Sequence, residues 1–156
     1  MNWERFVQIC RLFNAHQVRY VLVGGFAIIL HGYERTTGDI DFLVDPAEAN
    51  IRAIQVALRP LVPDIDELRP TDVRGYTVVR IGGADFVIDL IHAIGAVDYD
   101  AVAQAIDQVE IADDVLIPVA NLETMIQLKQ GLRGKDHDDL LFLEGKQRFL
   151  TQQKKS

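Results

Sequence analysis

Three aspartates and one glycine pair are, by type and spacing, the residues of this chain best suited to chemistry. Asp39 and Asp41 flank Ile40, and Asp89 is the one acid inside the apolar run 86–91. Gly24 and Gly25 separate a β-branched stretch from a short apolar one. Alternate residues of a strand face the same side, so Asp39 and Asp41 aim together while Ile40 and Phe42 face the core. At roughly 3.3 Å rise per residue their carboxylates lie about 7 Å apart and repel unless a cation sits between them. A carboxylate among apolar neighbours, as at Asp89, needs a partner or a metal. Three acids around hard divalent cations are the usual frame for in-line phosphoryl transfer: one metal activates the attacking oxygen, the other neutralises the leaving pyrophosphate. A Gly-Gly turn running into a helix lets backbone N–H groups approach an anion with no side chain in the way. A plainer reading stays open for each feature. Asp39 could cap a turn, Asp41 could pair with Arg35, Asp89 could be an edge acid, and the glycines could be a tight structural turn. There is no G-x-x-x-x-G-K-[ST] and no G-x-G-x-x-G, so neither a P-loop nor a dinucleotide fingerprint is present.

The elements that must position these residues follow from periodicity. Trp3, Phe6, Val7, Cys10 and Phe13 recur at the spacing of one helical face and predict a helix over 3–15. Residues 18–23 predict a buried strand that Gly24 and Gly25 end, with a short helix over 26–30 closed by His31 and Gly32. A strand over 40–44 follows, then a helix over 47–58 with Asp45 as N-cap and Pro46 in its first turn. Pro60, Pro63 and Pro70 make 59–71 a long loop. Strands over 74–81 and 84–91 are expected, joined by a tight hairpin turn at Gly82-Gly83. Residues 98–107 predict a short helix, and 109–118 two extended pieces around Asp113-Asp114. Asn121 can cap a helix to about residue 130, Gly131 and Gly134 punctuate, and a last helix spans about 135–152. The fold class expected is α+β, a mixed central sheet with helices packed mainly on one side and a short C-terminal helical extension. One domain covers 1–156, with a core over 1–118 and the extension over 119–156.

Composition narrows the field. The 156 residues are 49% hydrophobic and 25% charged, an ordinary globular balance. Cys10 is the only cysteine, so no disulfide scaffold is possible and a reducing cytoplasm is the expected compartment. No signal peptide is expected from the N-terminal residues, and the mostly apolar run 20–30 is too short to span a bilayer. Sixteen Lys and Arg against 23 Asp and Glu give a formal charge of −7, which argues against non-specific duplex DNA binding but leaves room for a local nucleotide site. The basic residues of 146–155 read as a solvated helix end.

Taken together, Val23-Gly24-Gly25, Asp39-Ile40-Asp41 and Asp89 resemble the signature of the nucleotidyltransferase superfamily, whose fold is shared with DNA polymerase beta. The run 21–45, VLVGGFAIILHGYERTTGDIDFLVD, is similar to the small stand-alone prokaryotic branch near AbiEii-type proteins. Leu128-Lys129, Arg133, Lys135-Asp136 and Asp139-Leu140 are similar to that branch's C-terminal pattern. The resemblance covers about residues 18–143. It implies a nucleotidyltransferase that moves a nucleoside monophosphate from NTP to a hydroxyl on RNA, protein or a small molecule, with Mg²⁺ or Mn²⁺. Asp39, Asp41 and Asp89 would be the catalytic and metal-binding acids, with Asp89 as or beside the base that takes the acceptor proton. Gly24, Gly25, Arg35, Thr37 and Lys129 would bind the nucleotide, with Arg35 as a bidentate donor. Alternatives remain for two of them: Arg35 could pair with Asp41 or Asp89, and Lys129 with Asp136 or Asp139. His31 reads as a turn or core hydrogen-bonding residue. Relatives often have Ser where this chain has Gly25, and larger ones add a helical domain for the acceptor. Part of the acceptor site would then come from a protein partner or a second subunit. The family context suggests a toxin–antitoxin or defence setting. Two other functions fit the same residues: a non-catalytic binding or antitoxin module, and an antibiotic-adenylylating enzyme.

Overall fold

A computed structural model of the chain describes residues 2–129 and 136–155. Gly131, Arg133, Gly134 and Lys135 lie outside the described residues. The elements run α1 (Trp3–Ala15), β1 (Tyr20–Val23), α2 (Gly24–Leu30), β2 (Ile40–Val44), α3 (Glu48–Leu58), a 3₁₀ turn (Ile65–Glu67) and α4 (Pro70–Gly75). They continue with β3 (Val79–Gly82), β4 (Val87–Ile91), β5 (Ala93–Ile94), β6 (Val97–Asp98), α5 (Tyr99–Ala103), β7 (Ile106–Ala112), β8 (Val115–Ala120), α6 (Leu122–Lys129) and α7 (Asp136–Lys155). Six strands form one mixed sheet in the order β3-β4-β2-β1-β8-β7. The β1–β8 and β2–β4 pairs are parallel, and the other three pairs antiparallel. The α+β class and mixed sheet are those the sequence predicts.

Period-2 alternation sorts the sheet's faces. Tyr20, Leu22, Ile40, Phe42, Ile88 and Leu90 point to one face and are buried. The Phe13 ring of α1 lies 5.2 Å from Tyr20 and 4.9 Å from Phe42, which seats α1 on that face. Phe6 stacks on Phe26 at 4.4 Å and ties α1 to α2. Each such fully buried side chain contributes about 1.5–3 kcal/mol. Buried Asn50 of α3 donates to the carbonyls of Arg19 and Asp45 and accepts from the Arg19 N–H, closing the entrance to β1 onto the end of β2. The other face carries Asp41, Asp89 and Arg80 at matching heights.

The sequence places α1 and the Asn121 cap correctly; Asn121 Oδ1 accepts from the Thr124 N–H at 2.8 Å. The α3 cap differs. Ala47 is the N-cap, and Asp45 instead accepts from the Ala47 N–H. Three other expectations are corrected. The strand expected over 74–81 begins only at Val79, because Pro70 at the first helical turn and Asp72, which accepts from the Arg69 N–H, start α4 instead. The helix expected over 98–107 stops at Ala103 and gives way to β7. Gly82-Gly83 is not a two-residue turn. Residues 83–86 make a four-residue connection, in which Gly83 donates to the Phe86 carbonyl at 3.0 Å. The Phe86 ring folds over Gly83 so closely that a Cβ there would lie 1.9 Å from it.

That turn shifts the register. Arg80 stands opposite Asp89, where a two-residue turn would have set it opposite Asp85. Asp85 pairs instead with Arg5 of α1 at 3.0 Å.

Candidate active site

The acids are brought together by the sheet. Asp41 on β2 and Asp89 on β4 are partners across a parallel pair, and Arg80 on β3 is the next residue along the same row. Asp39 immediately precedes β2 and reaches Arg80 as well. Arg80 donates from Nε to Asp89 Oδ1 at 2.9 Å, and from one terminal nitrogen to Asp89 Oδ2 at 3.1 Å and to Asp39 Oδ2 at 3.0 Å. Asp89 is 5% exposed, so the bidentate guanidinium answers the cost of burying a carboxylate in β4. The sequence offered Arg35 as one possible partner of Asp41 or Asp89. Arg80 holds that place and was missed, because the signal for it is the length of the turn at residues 83–86.

Asp41 carries the electrostatic strain of the cluster. Burial, the charges of Asp89 and Asp39 and a hydrogen bond with Asp89 push its carboxyl up to about 7, and Lys129 pulls it the other way. The glycines are fitted to this group. Gly24 has φ +71°, and a Cβ on it would lie 2.0 Å from Asp41 Oδ2. A Cβ on Gly25 would lie 2.6 Å from Thr37 Oγ1, which itself donates to the Asp39 carbonyl at 3.2 Å. The pair thus lets the backbone close on Asp41 and Thr37. Gly24→Ala combines a left-handed φ, which costs about 1–3 kcal/mol in a residue with a Cβ, with displacement of the Asp41 carboxylate. We expect it to lose at least that much stability in urea denaturation. A variant as stable as the parent would show that the backbone does not close here as described.

A polar cleft of about 400 Å³ opens beside the acids, lined by Gly25, Arg35, Thr36, Thr37, Gly38, Asp39, Asp41 and Lys129. All five residues expected to bind nucleotide border the acids: four line this cleft, and Gly24 abuts Asp41 from an adjoining one. The two cations are held by α7. Asp139 is 2% exposed, pairs with Arg35, and lies 3.3 Å from Lys129 Nζ. Of the alternatives open for these cations, Lys129 is paired with Asp139 as one of them had it, whereas Arg35 reaches neither Asp41 nor Asp89. His31 Nε2 lies 2.9 Å from the Ala120 carbonyl and Lys146 donates to the His31 carbonyl, a hydrogen-bonding place at the end of α2. Cys10 is buried, and burial raises its thiol pKa, which disfavours the reactive thiolate. The adjoining cleft, about 370 Å³ and mostly apolar, includes Val78, Ile91, Ile94, Met125 and Leu128 among its walls and shares Asp41 and Lys129 with the polar one.

The donor set fits a hard divalent cation in chemistry: three carboxylates, one with its proton affinity raised by burial and then by the charges of the other two. Among the described residues, no three acidic, histidine or cysteine side chains already close on one common point. Asp39 and Asp89 are drawn onto Arg80 instead.

No family model matches the chain, and no curated protein matches it. Among solved structures it is similar to the crystal structure of a "putative nucleotidyltransferase" from Thermotoga maritima, with a TM-score of 0.56 and 15% identity over 96% of this chain and 92% of that one. At that identity the likeness speaks for the fold, which is the nucleotidyltransferase fold. No helix among the described residues is long and apolar enough to cross a membrane.

Proposed function

We propose that this chain is a divalent-cation-dependent nucleotidyltransferase, which moves a nucleoside monophosphate from NTP to a hydroxyl and releases pyrophosphate. The observation that carries the reading is the register that sets Asp41 beside Asp89, with Asp39 joined to Asp89 through Arg80, next to a cleft walled by Gly25, Thr37, Arg35 and Lys129. Mg²⁺ or Mn²⁺, held by the three acids, would neutralise the phosphates and acidify the attacking hydroxyl. Arg35 and Lys129 hold the triphosphate in the polar cleft, with Asp139 behind them. Thr37 holds the Asp39 carbonyl, and the backbone at Gly24 closes on Asp41 beside it. Asp89 takes the acceptor proton as the new oxygen–phosphorus bond forms and the bond to pyrophosphate breaks. The apolar cleft beside Asp41 has room for an uncharged part of the substrate.

The finer placement belongs to the same proposal: a cytoplasmic member of the AbiEii-like branch in a toxin–antitoxin or defence setting, its acceptor site completed by a protein partner or a second copy. The motif of residues 21–45 supports it. A second reading, a non-catalytic nucleotidyltransferase-like binding module, is favoured by one observation, the seating of Arg80 among the acids. Incubation with Mg²⁺, cell extract and each α-labelled NTP in turn separates the two. The first reading expects a labelled macromolecule that EDTA suppresses; the second expects none. Label on a small molecule only when an antibiotic is added would identify a drug-modifying enzyme instead.

A further inference from the structure

Arg80 occupies the centre of the acid cluster, and the proposed transfer needs that centre for a cation. Its guanidinium takes both oxygens of Asp89 and one of Asp39 at 2.9–3.1 Å. A magnesium ion takes carboxylate oxygens at about 2.0–2.1 Å, so an ion on the oxygens that face the guanidinium would meet its positive charge at close range, and the two would repel. We propose that Arg80 is the resident counter-cation of the acid cluster and that a divalent cation binds by displacing it. The proposal rests on the metal-dependent reading above.

Three observations support a displaceable arginine rather than a fixed strut. Its side chain is 63% exposed, against 8% for Asp89, so the guanidinium can leave for water without crossing the core. It stands on β3, the edge strand of the sheet, with no strand on its outer side. It also borders a second groove whose walls carry Asp64, Glu67 and Asp72, so a released guanidinium has other carboxylates within its surroundings. Asp41 shares a hydrogen bond with Asp89, while Asp39 and Asp89 both turn to Arg80. Removing the arginine frees the oxygens of Asp39 and Asp89 for one ion.

The test is Mn²⁺ binding without nucleotide, followed by electron paramagnetic resonance and by the shift in melting temperature. Arg80→Gln should bind Mn²⁺ at least about tenfold more tightly than the parent. Arg80→Lys, which keeps the charge but cannot form the fork, should fall between them. Mn²⁺ should also raise the melting temperature of Arg80→Gln more than that of the parent. If Arg80→Gln does not fold, the comparison of Arg80→Lys with the parent decides. Equal or weaker Mn²⁺ binding in the folded variants overturns the displacement and leaves the metal-dependent reading standing. If neither parent nor variants bind Mn²⁺, both fall.

Discussion

Asp41→Asn is expected to abolish nucleotidyl transfer while making the cation-free protein more stable above neutral pH. The carboxyl is pushed up to about 7 from an ordinary 3.8, chiefly by burial and then by Asp89 and Asp39. The folded state therefore holds the proton more tightly than the unfolded chain. The stability associated with that proton is fully present below pH 3.8, falls as pH rises between the two values, and is gone above about 7. The distance between the two values corresponds to a loss of about 2–4 kcal/mol. Asparagine keeps the shape and removes the titration. Denaturation without divalent ions should show the parent weakening from pH 5 to pH 8 and the variant unchanged, with the variant the more stable at pH 8. Transfer by the variant should fall on the order of a thousandfold or more, because the residue acts as part of a unit. Retained turnover, or a parent whose stability does not decline over that range, would contradict the place given to Asp41.

The largest loss of stability is expected at Asp139. It is 2% exposed and is the carboxylate between Arg35 of the acid-proximal loop and Lys129 of α6, whose side chains are 18% and 10% exposed. Taking away one partner leaves buried cations uncompensated, at a cost of about 3–5 kcal/mol. Asp139→Ala should lose that much in urea denaturation, a fall in melting temperature of roughly 10 °C for a chain of this size. Asp139→Asn should lose less, because the amide oxygen still accepts one hydrogen bond. Where the asparagine variant folds, its KM for NTP should rise more than its kcat falls, since Arg35 and Lys129 are displaced and the acids are not. A variant as stable as the parent would remove Asp139 from this role.

The fold was legible wherever periodicity was strong. The stripe of Phe6, Cys10 and Phe13 marks α1, the β-branched runs mark β1 and β4, and the Asn121 oxygen marks the start of α6. The alternation Asp39-Ile40-Asp41 and the lone acid in 86–91 were enough to pick out carboxylates that the sheet then sets side by side. What stayed hidden depends on geometry that no short window carries. Arg80 meets Asp89 only because the Phe86 ring folds onto Gly83 and lengthens the turn by two residues. Arg35 finds its partner on α7, across most of the chain, so its local context pointed to the nearer acids. The glycine pair read as a gap for a ligand; the structure shows that its space is also needed by Asp41 and Thr37. The start of α4 fell in the expected loop over 59–71 and its end in the expected strand over 74–81, while Pro70 and Asp72 decide where it begins.

The most direct test of the account is to follow the two ends of one nucleotide. The protein is incubated with Mg²⁺, a cell extract and NTP labelled either at the α-phosphate or at the γ-phosphate. The account predicts that the α-label enters an acceptor while the γ-label leaves as pyrophosphate, and that neither happens with Asp41→Asn. Transfer of the γ-label to the acceptor, or no transfer of either label by the parent protein, would contradict it.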